Sequence, residues 1–257
     1  MTNLELEKIL ACPACKSRLA KRTTHKKNCP SSNKPLKKIA NIWDFSSFGN
    51  SKNDSLVKNE LAHQKGPWHR ISDGSYEILA SFAKGNKTVD IACGDGYIEQ
   101  LAPETVGVDF SISALTKAKN RGAKYLVCAN AENLPFVDNA FDLSISAGSL
   151  ENIKNPQKAI FEMARVSKIQ MMTVHREFDI PMSRSIRAIF TQFADIPHQP
   201  VEKPLRFSEL QKMLEAAKLK IVFRGFWTLP LNYGKVIKFL PVLKNIPSCF
   251  FVITIKR

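Results

Sequence analysis

The chain has 257 residues, which is enough for one large α/β core and a small appendage but not for two catalytic domains. Hydrophobic residues make up 44% of it and the formal net charge is +15, a composition that excludes a disordered chain and favours contact with something anionic. No segment approaches the roughly 20 apolar residues of a membrane span, and residues 1–8 lack the features of a secretory leader, so we expect a cytoplasmic protein.

The positive charge is concentrated at the two ends of the chain. Residues 1–65 carry 13 Lys and Arg against 5 Asp and Glu, and residues 200–257 carry 11 against 3. Residues 66–199 are near neutral, with 14 against 15. We expect the basic ends either to meet RNA, an anionic lipid surface or an acidic metabolite, or only to keep the protein in solution.

Residues 1–45 predict a small module that cannot build a hydrophobic core of its own. Cys12 and Cys15 have the C-x-x-C spacing of a knuckle that places two thiolates on one zinc ion, and Cys29 follows at a spacing typical of zinc ribbons. The usual fourth position carries neither cysteine nor histidine, so His25, in the intervening loop, is the candidate fourth ligand. The alternative is a metal-free relic of a ribbon, stabilised by packing on the next domain.

After a linker predicted at residues 46–65, residues 66–257 predict one catalytic domain in which strands alternate with helices. Such alternation is typical of a doubly wound, Rossmann-like parallel sheet, here with seven strands. The predicted strands of the domain are residues 88–92, 105–108, 125–129, 141–147, 169–174, 219–226 and 249–255, and the N-terminal module adds one at 39–45. The predicted helices are residues 72–83, 111–119, 156–166 and 207–217. Residues 176–204, with four prolines, predict an insertion that covers the substrate.

A carboxylate and two glycines mark the turn after the strand at residues 88–92, in the segment V-D-I-A-C-G-D-G at residues 89–96. Glycines there let the backbone approach a ligand closely, although nicotinamide and flavin dinucleotide sites use similar turns. Asp109 ends the next strand, where a carboxylate can accept hydrogen bonds from ribose hydroxyls.

Four segments in order resemble the class I S-adenosylmethionine-dependent methyltransferases, and in particular the subgroup that includes ubiquinone and menaquinone C-methyltransferases. They are V-D-I-A-C-G-D-G, V-G-V-D-F-S, A-N-A-E-N-L-P-F-V-D-N-A-F-D and G-S-L-E-N-I-K-N-P, within about residues 75–175. The resemblance implies S-adenosylmethionine as cofactor.

The N-terminal region is similar to the short zinc ribbons that precede some methyltransferase domains. These include 23S rRNA guanine N1-methyltransferases, in which the ribbon helps to contact RNA.

The resemblance also assigns roles to single residues. Asp90 and the backbone of residues 92–96 would hold the methionine portion of the cofactor, and Asp109 the ribose. Asn130 stands where the family commonly has an aspartate against the adenine amino group, which removes a charge. The full set of cofactor-binding candidates is Asp90, Ala92, Cys93, Gly94, Asp95, Gly96, Asp109, Phe110, Asn130, Ala131, Glu132 and Ala147.

Methyl transfer needs mainly correct alignment of the two reactants and, for some acceptors, one general base. His175, at the end of a predicted strand, is the candidate base.

Three functions remain open. A small-molecule methyltransferase is favoured by the resemblance and by the apolar residues 223–251, and an rRNA or tRNA base methyltransferase by the basic ends and the ribbon. A non-catalytic adaptor with the same fold is the third, because Ala92, Asn130 and Asn152 depart from the family pattern.

Overall fold

The computed structural model describes residues 3–19, 37–48, 74–177, 203–227 and 249–257, and a nine-stranded sheet is its central feature. The strands are β1 Lys37–Ile39, β2 Ile42–Asp44, β3 Thr88–Ile91, β4 Val106–Asp109, β5 Tyr125–Cys128, β6 Phe141–Ala147, β7 Ser167–His175, β8 Leu219–Trp227 and β9 Cys249–Lys256. The helices are α1 Asn3–Ile9, α2 Ser75–Ala83, α3 Tyr97–Leu101, α4 Ile112–Asn120, α5 Pro156–Val166 and α6 Phe207–Ala216, with 3-10 turns at Ser46–Phe48 and Leu150–Asn152. Among these residues, no helix combines the length and apolar character needed to cross a bilayer.

The strand order β1-β2-β5-β4-β3-β6-β7-β9-β8 confirms the predicted doubly wound sheet, because β3 to β9 supply seven strands in the order of a Rossmann-like domain. Strands β3 to β7 run parallel, and β9 pairs antiparallel with both β7 and β8. The chain order reverses at β3, which has β4 on one side and β6 on the other. In open α/β sheets, ligands bind beside such a switch point, at the carboxyl ends of the strands.

The hydrophobic pattern accounts for helix α5 and only partly for α2. Helix α5 begins after Asn155, whose side chain accepts from the backbone N–H of Lys158, and it buries the apolar stripe predicted at Ala159, Ile160 and Met163. In α2, by contrast, Leu79 and Ala80 are buried whereas Ile78 and Phe82 are nearly half exposed. Of the apolar residues that predicted this helix, Ile78, Leu79 and Phe82, only Leu79 is therefore buried.

The N-terminal segment shares its sheet and its core with the catalytic domain. A turn at Ala40 and Asn41, both at positive φ (49° and 67°), splits the strand predicted at residues 39–45 into a hairpin. Strand β2 pairs parallel with β5, so the hairpin extends the edge of the Rossmann-like sheet. Phe48, at the start of the predicted linker, is buried in the same cluster as Phe136. Packing on the larger domain thus stabilises this segment.

The turn between β3 and α3 brings two elements unusually close together. Gly96 precedes α3 with φ +77°, and a Cβ at this position would lie 2.5 Å from the Cβ of Ala118 in α4. Gly85 has a similar φ of +78°, but a Cβ there would meet nothing within 4 Å. Gly96 is therefore required both by its left-handed backbone and by the close contact with Ala118, whereas Gly85 is required only by its left-handed backbone.

We predict that Gly96→Ala lowers the free energy of unfolding by roughly 2–5 kcal/mol, because strain at positive φ adds to overpacking. Gly85→Ala, the matched control, should lose only roughly 1–2 kcal/mol, the cost of the backbone conformation. Urea unfolding followed by circular dichroism measures both variants. Equal losses of unfolding free energy in the two variants would show that the close contact with Ala118 does not exclude a side chain at residue 96.

Candidate active site

Asp109, the last residue of β4, joins two backbone turns at the carboxyl edge of the sheet. Its Oδ2 accepts the N–H of Gly94 at 2.9 Å, and its Oδ1 accepts the N–H of Ser111 at 2.8 Å. Ser111 in turn caps α4 by accepting from Ala114 N at 3.0 Å. A carboxylate has about four acceptor positions, so this half-buried group can take hydroxyl donors in addition. The arrangement fits the two adjacent hydroxyls of a ribose.

The turn after β3 keeps the shape of a glycine turn even though its first glycine position carries an alanine. Ala92, Gly94 and Gly96 all have positive φ, at 59°, 55° and 77°. The N–H of Cys93 donates to Val108 O at 3.0 Å, which extends the contact between β3 and β4 into the turn. The left-handed conformation costs an alanine about 1–2 kcal/mol, so the surrounding contacts have to hold it.

Beneath this turn lies a group of buried acidic side chains. Asp90 and Glu99 are both buried, and their carboxyl groups interact. Burial, followed by the charge of Asp90, holds the pKa of Glu99 well above its ordinary value of 4.5, so we expect Glu99 to be the protonated partner. Burial also raises the pKa of the Cys93 thiol, and the same carboxyl groups add to that rise. Cys93 is therefore a neutral thiol at neutral pH.

Glu99 escaped the sequence-based prediction, although a signal for it exists. It is the one carboxylate in the short helix Tyr97–Leu101, and it points toward Gly107 in the neighbouring strand. A Cβ at residue 107 would lie 3.0 Å from both Glu99 Oε1 and Cys93 Sγ. A glycine in the middle of a buried strand could thus have indicated that a large side chain lies across it.

The loop after β5, which the resemblance assigns to the adenine, is held by its own hydrogen bonds. The amide oxygen of Asn130 accepts from Glu132 N at 2.9 Å, and the carboxylate of Glu132 accepts from Asn155 N at 3.1 Å. The N–H of Asn133 donates to the carbonyl of Asn130 at 2.9 Å. The Asn130 oxygen would therefore have to accept the adenine amino group as a second donor.

His175 ends β7, on the opposite side of the switch point from Asp109. Its imidazole Nδ1 contacts a carboxylate oxygen of Glu151, which also accepts the backbone N–H of His175 at 3.3 Å. The side chain of Glu151 is fully buried, whereas a third of the His175 side chain is exposed. Burial by itself would lower the pKa of His175, but the charge of Glu151 and a hydrogen bond with Cys249 raise it well above 6.5. These contacts favour the protonated, cationic form of the imidazole.

The segment between β6 and the 3-10 turn joins these two parts of the site. The hydroxyl of Ser149 donates to Ala92 O at 3.2 Å, and Ala147 ends β6 beside it. A Cβ on Gly148 would lie 3.9 Å from the His175 ring. Gly148 and Ser149 thus link the glycine turn to the imidazole. Sequence reasoning also missed Glu151, because a single glutamate after a strand carries no distinctive pattern.

The structure brings the cofactor-binding candidates together at the ends of β3, β4, β5 and β6. Asp109, Phe110, Asn130, Ala131, Glu132 and Ala147 are half-buried, whereas Asp90 and Asp95 are buried within or beneath the glycine turn. A carboxylate fixed at a strand end, a glycine turn and an adjoining polar loop form a set that fits S-adenosylmethionine. The negative side chains under the turn suit its positive charges.

Two of the four predicted metal ligands lie in the described part of the chain. Cys12 is fully buried and Cys15 half-buried, and the turn between them closes through Lys16 N to Cys12 O at 2.8 Å. Cys29 and His25 lie outside the described residues. Within the described residues, no three His, Cys, Asp or Glu side chains are grouped as a metal site.

Comparisons with known proteins agree with this geometry. A family described as "Methyltransferase domain" matches residues 89–170. A demethylmenaquinone methyltransferase of Paenarthrobacter aurescens is 32% identical over 131 residues, which are 49% of this chain and 50% of the relative. A ubiquinone/menaquinone biosynthesis C-methyltransferase of Stenotrophomonas maltophilia is 34% identical over 116 residues, 39% of this chain and 46% of the relative. The chain thus spans about half the length of these curated relatives.

Among solved structures, the magnesium protoporphyrin IX methyltransferase of Synechocystis, crystallised with S-adenosylhomocysteine, superposes with a TM-score of 0.55. That alignment covers 80% of this chain and 100% of the other at 9% identity, so it bears on the fold alone. The matched residues contain the glycine turn, Asp109 and the loop after β5, which are the parts of the crevice described above. Over this domain the chain is similar to methyltransferases.

Proposed function

We propose that the protein transfers a methyl group from S-adenosylmethionine to a small-molecule acceptor. The observation that carries the proposal is the Asp109 carboxylate, which is fixed by Gly94 N and Ser111 N at the switch point of the sheet. The names of the two quinone methyltransferase relatives support a small acceptor. When bound, the cofactor supplies a methyl group on a positively charged sulfur.

We propose a role for each part of the crevice. Asp109 accepts the ribose hydroxyls, and the backbone of residues 92–96 lies against the methionine portion. Asp90 and Glu99 stay beneath the turn, where their shared negative charge favours a cationic ligand above them. The loop at Asn130 packs against the purine. Together these groups would hold the cofactor at the switch point of the sheet, where it would supply a methyl group for transfer.

We propose that His175 acts on the acceptor. Because Glu151 favours the imidazolium form, His175 can bind and stabilise a negatively charged oxygen of the acceptor, rather than remove its proton as the sequence suggested. A phenolate or enolate fits this charge, and electron density from such an oxygen makes the attacking atom more nucleophilic. The methyl group would then bond to that atom while the sulfur keeps the electron pair of the broken bond. A methylated ring carbon would lose its proton to water, which restores the aromatic ring.

The basic ends of the chain support a second candidate, methylation of an RNA base, through contacts with phosphates. Zinc on the Cys12–Cys15 knuckle would serve this candidate, and the closed turn between the two cysteines supports the idea. No step of methyl transfer depends on zinc. Location in the cytoplasm stays a prediction from the sequence.

To separate the two candidates, we would incubate the protein with S-adenosylmethionine labelled in its methyl group, together with either a demethylated naphthoquinol or total RNA. We expect the label in the naphthoquinol, with a rate that changes little with salt. Label in RNA, with a rate that falls steeply as salt rises, would favour the second candidate, because release of counterions dominates RNA binding. Asp109→Ala is the control for both reactions.

We predict that Asp109→Ala weakens binding of S-adenosylhomocysteine by roughly 1–3 kcal/mol, since the ribose hydroxyls and two backbone N–H groups lose their acceptor. Isothermal titration calorimetry measures this difference. The control is Asp142→Asn, which removes an exposed carboxylate paired with Lys168 at the other edge of the sheet. Equal affinities of the two variants would contradict the assignment of Asp109. A folded wild-type protein that gives no heat at millimolar ligand would favour the adaptor.

We predict that Glu151→Gln lowers the pKa of His175, because it removes the charge that stabilises the imidazolium. Nitrogen-15 NMR of labelled histidines measures this pKa, and His175→Gln identifies the signal. Because the folded-state pKa lies above the ordinary 6.5, the pair stabilises the fold fully below pH 6.5 and loses this effect as pH rises through the folded-state pKa. A variant with the same His175 pKa as the wild type would refute the pairing.

A further inference from the structure

The loop after β5 is held between two separate parts of the N-terminal segment. On one side, Phe45 N donates to Cys128 O at 2.8 Å, directly after the pairing of β2 with β5. On the other side, Ala11 N donates to Pro135 O at 2.8 Å. Residues 129–134, which contain the candidate purine-binding residues, lie between these two attachments. The N-terminal segment thus contacts the loop at both ends.

The side-chain ammonium of Lys16 makes a third contact between the N-terminal segment and the loop after β5. Its Nζ donates to Asn133 Oδ1 at 2.7 Å and to Leu134 O at 3.2 Å, and it pairs with Glu162 Oε2 at 3.0 Å. The backbone of Lys16 is held at φ 57° by the knuckle turn, through its N–H to Cys12 O. Hydrogen bonds from a partly buried ammonium are stronger than those between neutral groups. The knuckle therefore directs a charged donor into the loop.

Asn133 transmits this contact to the purine-binding position. Its side chain accepts from Lys16, and its backbone N–H donates to the carbonyl of Asn130 at 2.9 Å. The side chain of Asn130 is fixed in turn by Glu132 N. One residue thus separates the ammonium of Lys16 from the residue that the resemblance places against the adenine.

We propose that Lys16 is a positioning residue of the purine-binding loop, so that the N-terminal segment forms part of the cofactor site. This inference rests on the proposed function. The physical reason is preorganisation, because a loop that is already held in its binding conformation loses no conformational entropy when the ligand binds. Removing Lys16 would restore that cost without removing any group that touches the ligand.

The chain supplies a matched control in Lys38, which lies in the same N-terminal segment. Lys38 pairs with Glu7 at 3.3 Å and lies over the ring of Trp43, and both members of the ion pair are more than a third exposed. Lys38→Met therefore removes the same charge from the same segment without touching the loop. Lys16→Met should still fold, because Arg165 continues to pair with the buried Glu162.

The test measures calorimetric affinity of the full chain for S-adenosylhomocysteine and for its 6-oxo analogue, S-inosylhomocysteine. We expect Lys16→Met to bind S-adenosylhomocysteine about tenfold more weakly, the equivalent of one or two lost hydrogen bonds, and to discriminate less between the two ligands. Lys38→Met should match the wild type in both respects. Lys16→Arg should recover most of the affinity, because it keeps a charged donor.

Asn133→Ala removes the partner of Lys16 from the other side. It should cause a similar loss, and the double variant Lys16→Met/Asn133→Ala should lose little more than either single variant. The inference would be overturned if Lys16→Met bound both ligands as Lys38→Met does. It would also be overturned if Lys16→Met lowered only the melting temperature and discriminated between the two ligands as the wild type does. If the folded wild type binds neither ligand, the proposed function itself fails, and the role of Lys16 fails with it.

Discussion

The carboxylate of Asp109 is the contact on which the rest of this site depends. One oxygen holds the glycine turn through Gly94 N, and the other holds the start of α4 through Ser111 N. Parallel strands end with unpaired backbone groups at the same edge of a sheet, and this single side chain satisfies two of them. It therefore sets the distance between the turn that follows β3 and the helix that follows β4, the two walls of the cofactor crevice.

Around this contact, the domain places negative charge on one side of the switch point and a cation on the other. Asp109, Asp90 and Glu99 lie at or beneath the turns after β3 and β4, and His175 lies at the end of β7, paired with Glu151. Burial makes each charge costly unless it is paired, which explains why Glu99 keeps its proton and why Glu151 holds an imidazolium. A cationic cofactor and an acceptor with a negative oxygen are the ligands that complement this division.

The sequence allowed the sheet and the glycine turn after β3 to be predicted, because both depend on local patterns. Buried strands give apolar runs, and the glycine turn followed by Asp109 falls at strand ends that such runs define. Helix α5 was predicted from its apolar stripe, and the structure adds the cap at Asn155. Glu99 and Glu151 were missed because their importance comes from what lies across from them, Gly107 in one case and His175 in the other. Gly107 gave only an indirect signal for Glu99, and the contact between Glu151 and His175 left none that was recognised.

The N-terminal segment is a second case in which contacts between distant residues could not be predicted from the sequence. Its cysteines were evident, but the hairpin at Ala40 and Asn41 was not, since alanine rarely adopts a left-handed backbone. Nor does any pattern near residue 16 indicate that its lysine reaches a loop more than a hundred residues away. Pairing of β2 with β5 brings this segment to the edge of the sheet, and there the tertiary contacts determine its role.

The central claim, that the crevice beside Asp109 binds the cofactor, is tested most directly by a crystal structure of the protein with S-adenosylhomocysteine. Our account predicts both ribose hydroxyls within hydrogen-bonding distance of the Asp109 carboxylate, and the purine against Asn130 and Ala131. A ligand bound elsewhere on the protein, or no ligand in this crevice at saturating concentration, would contradict it.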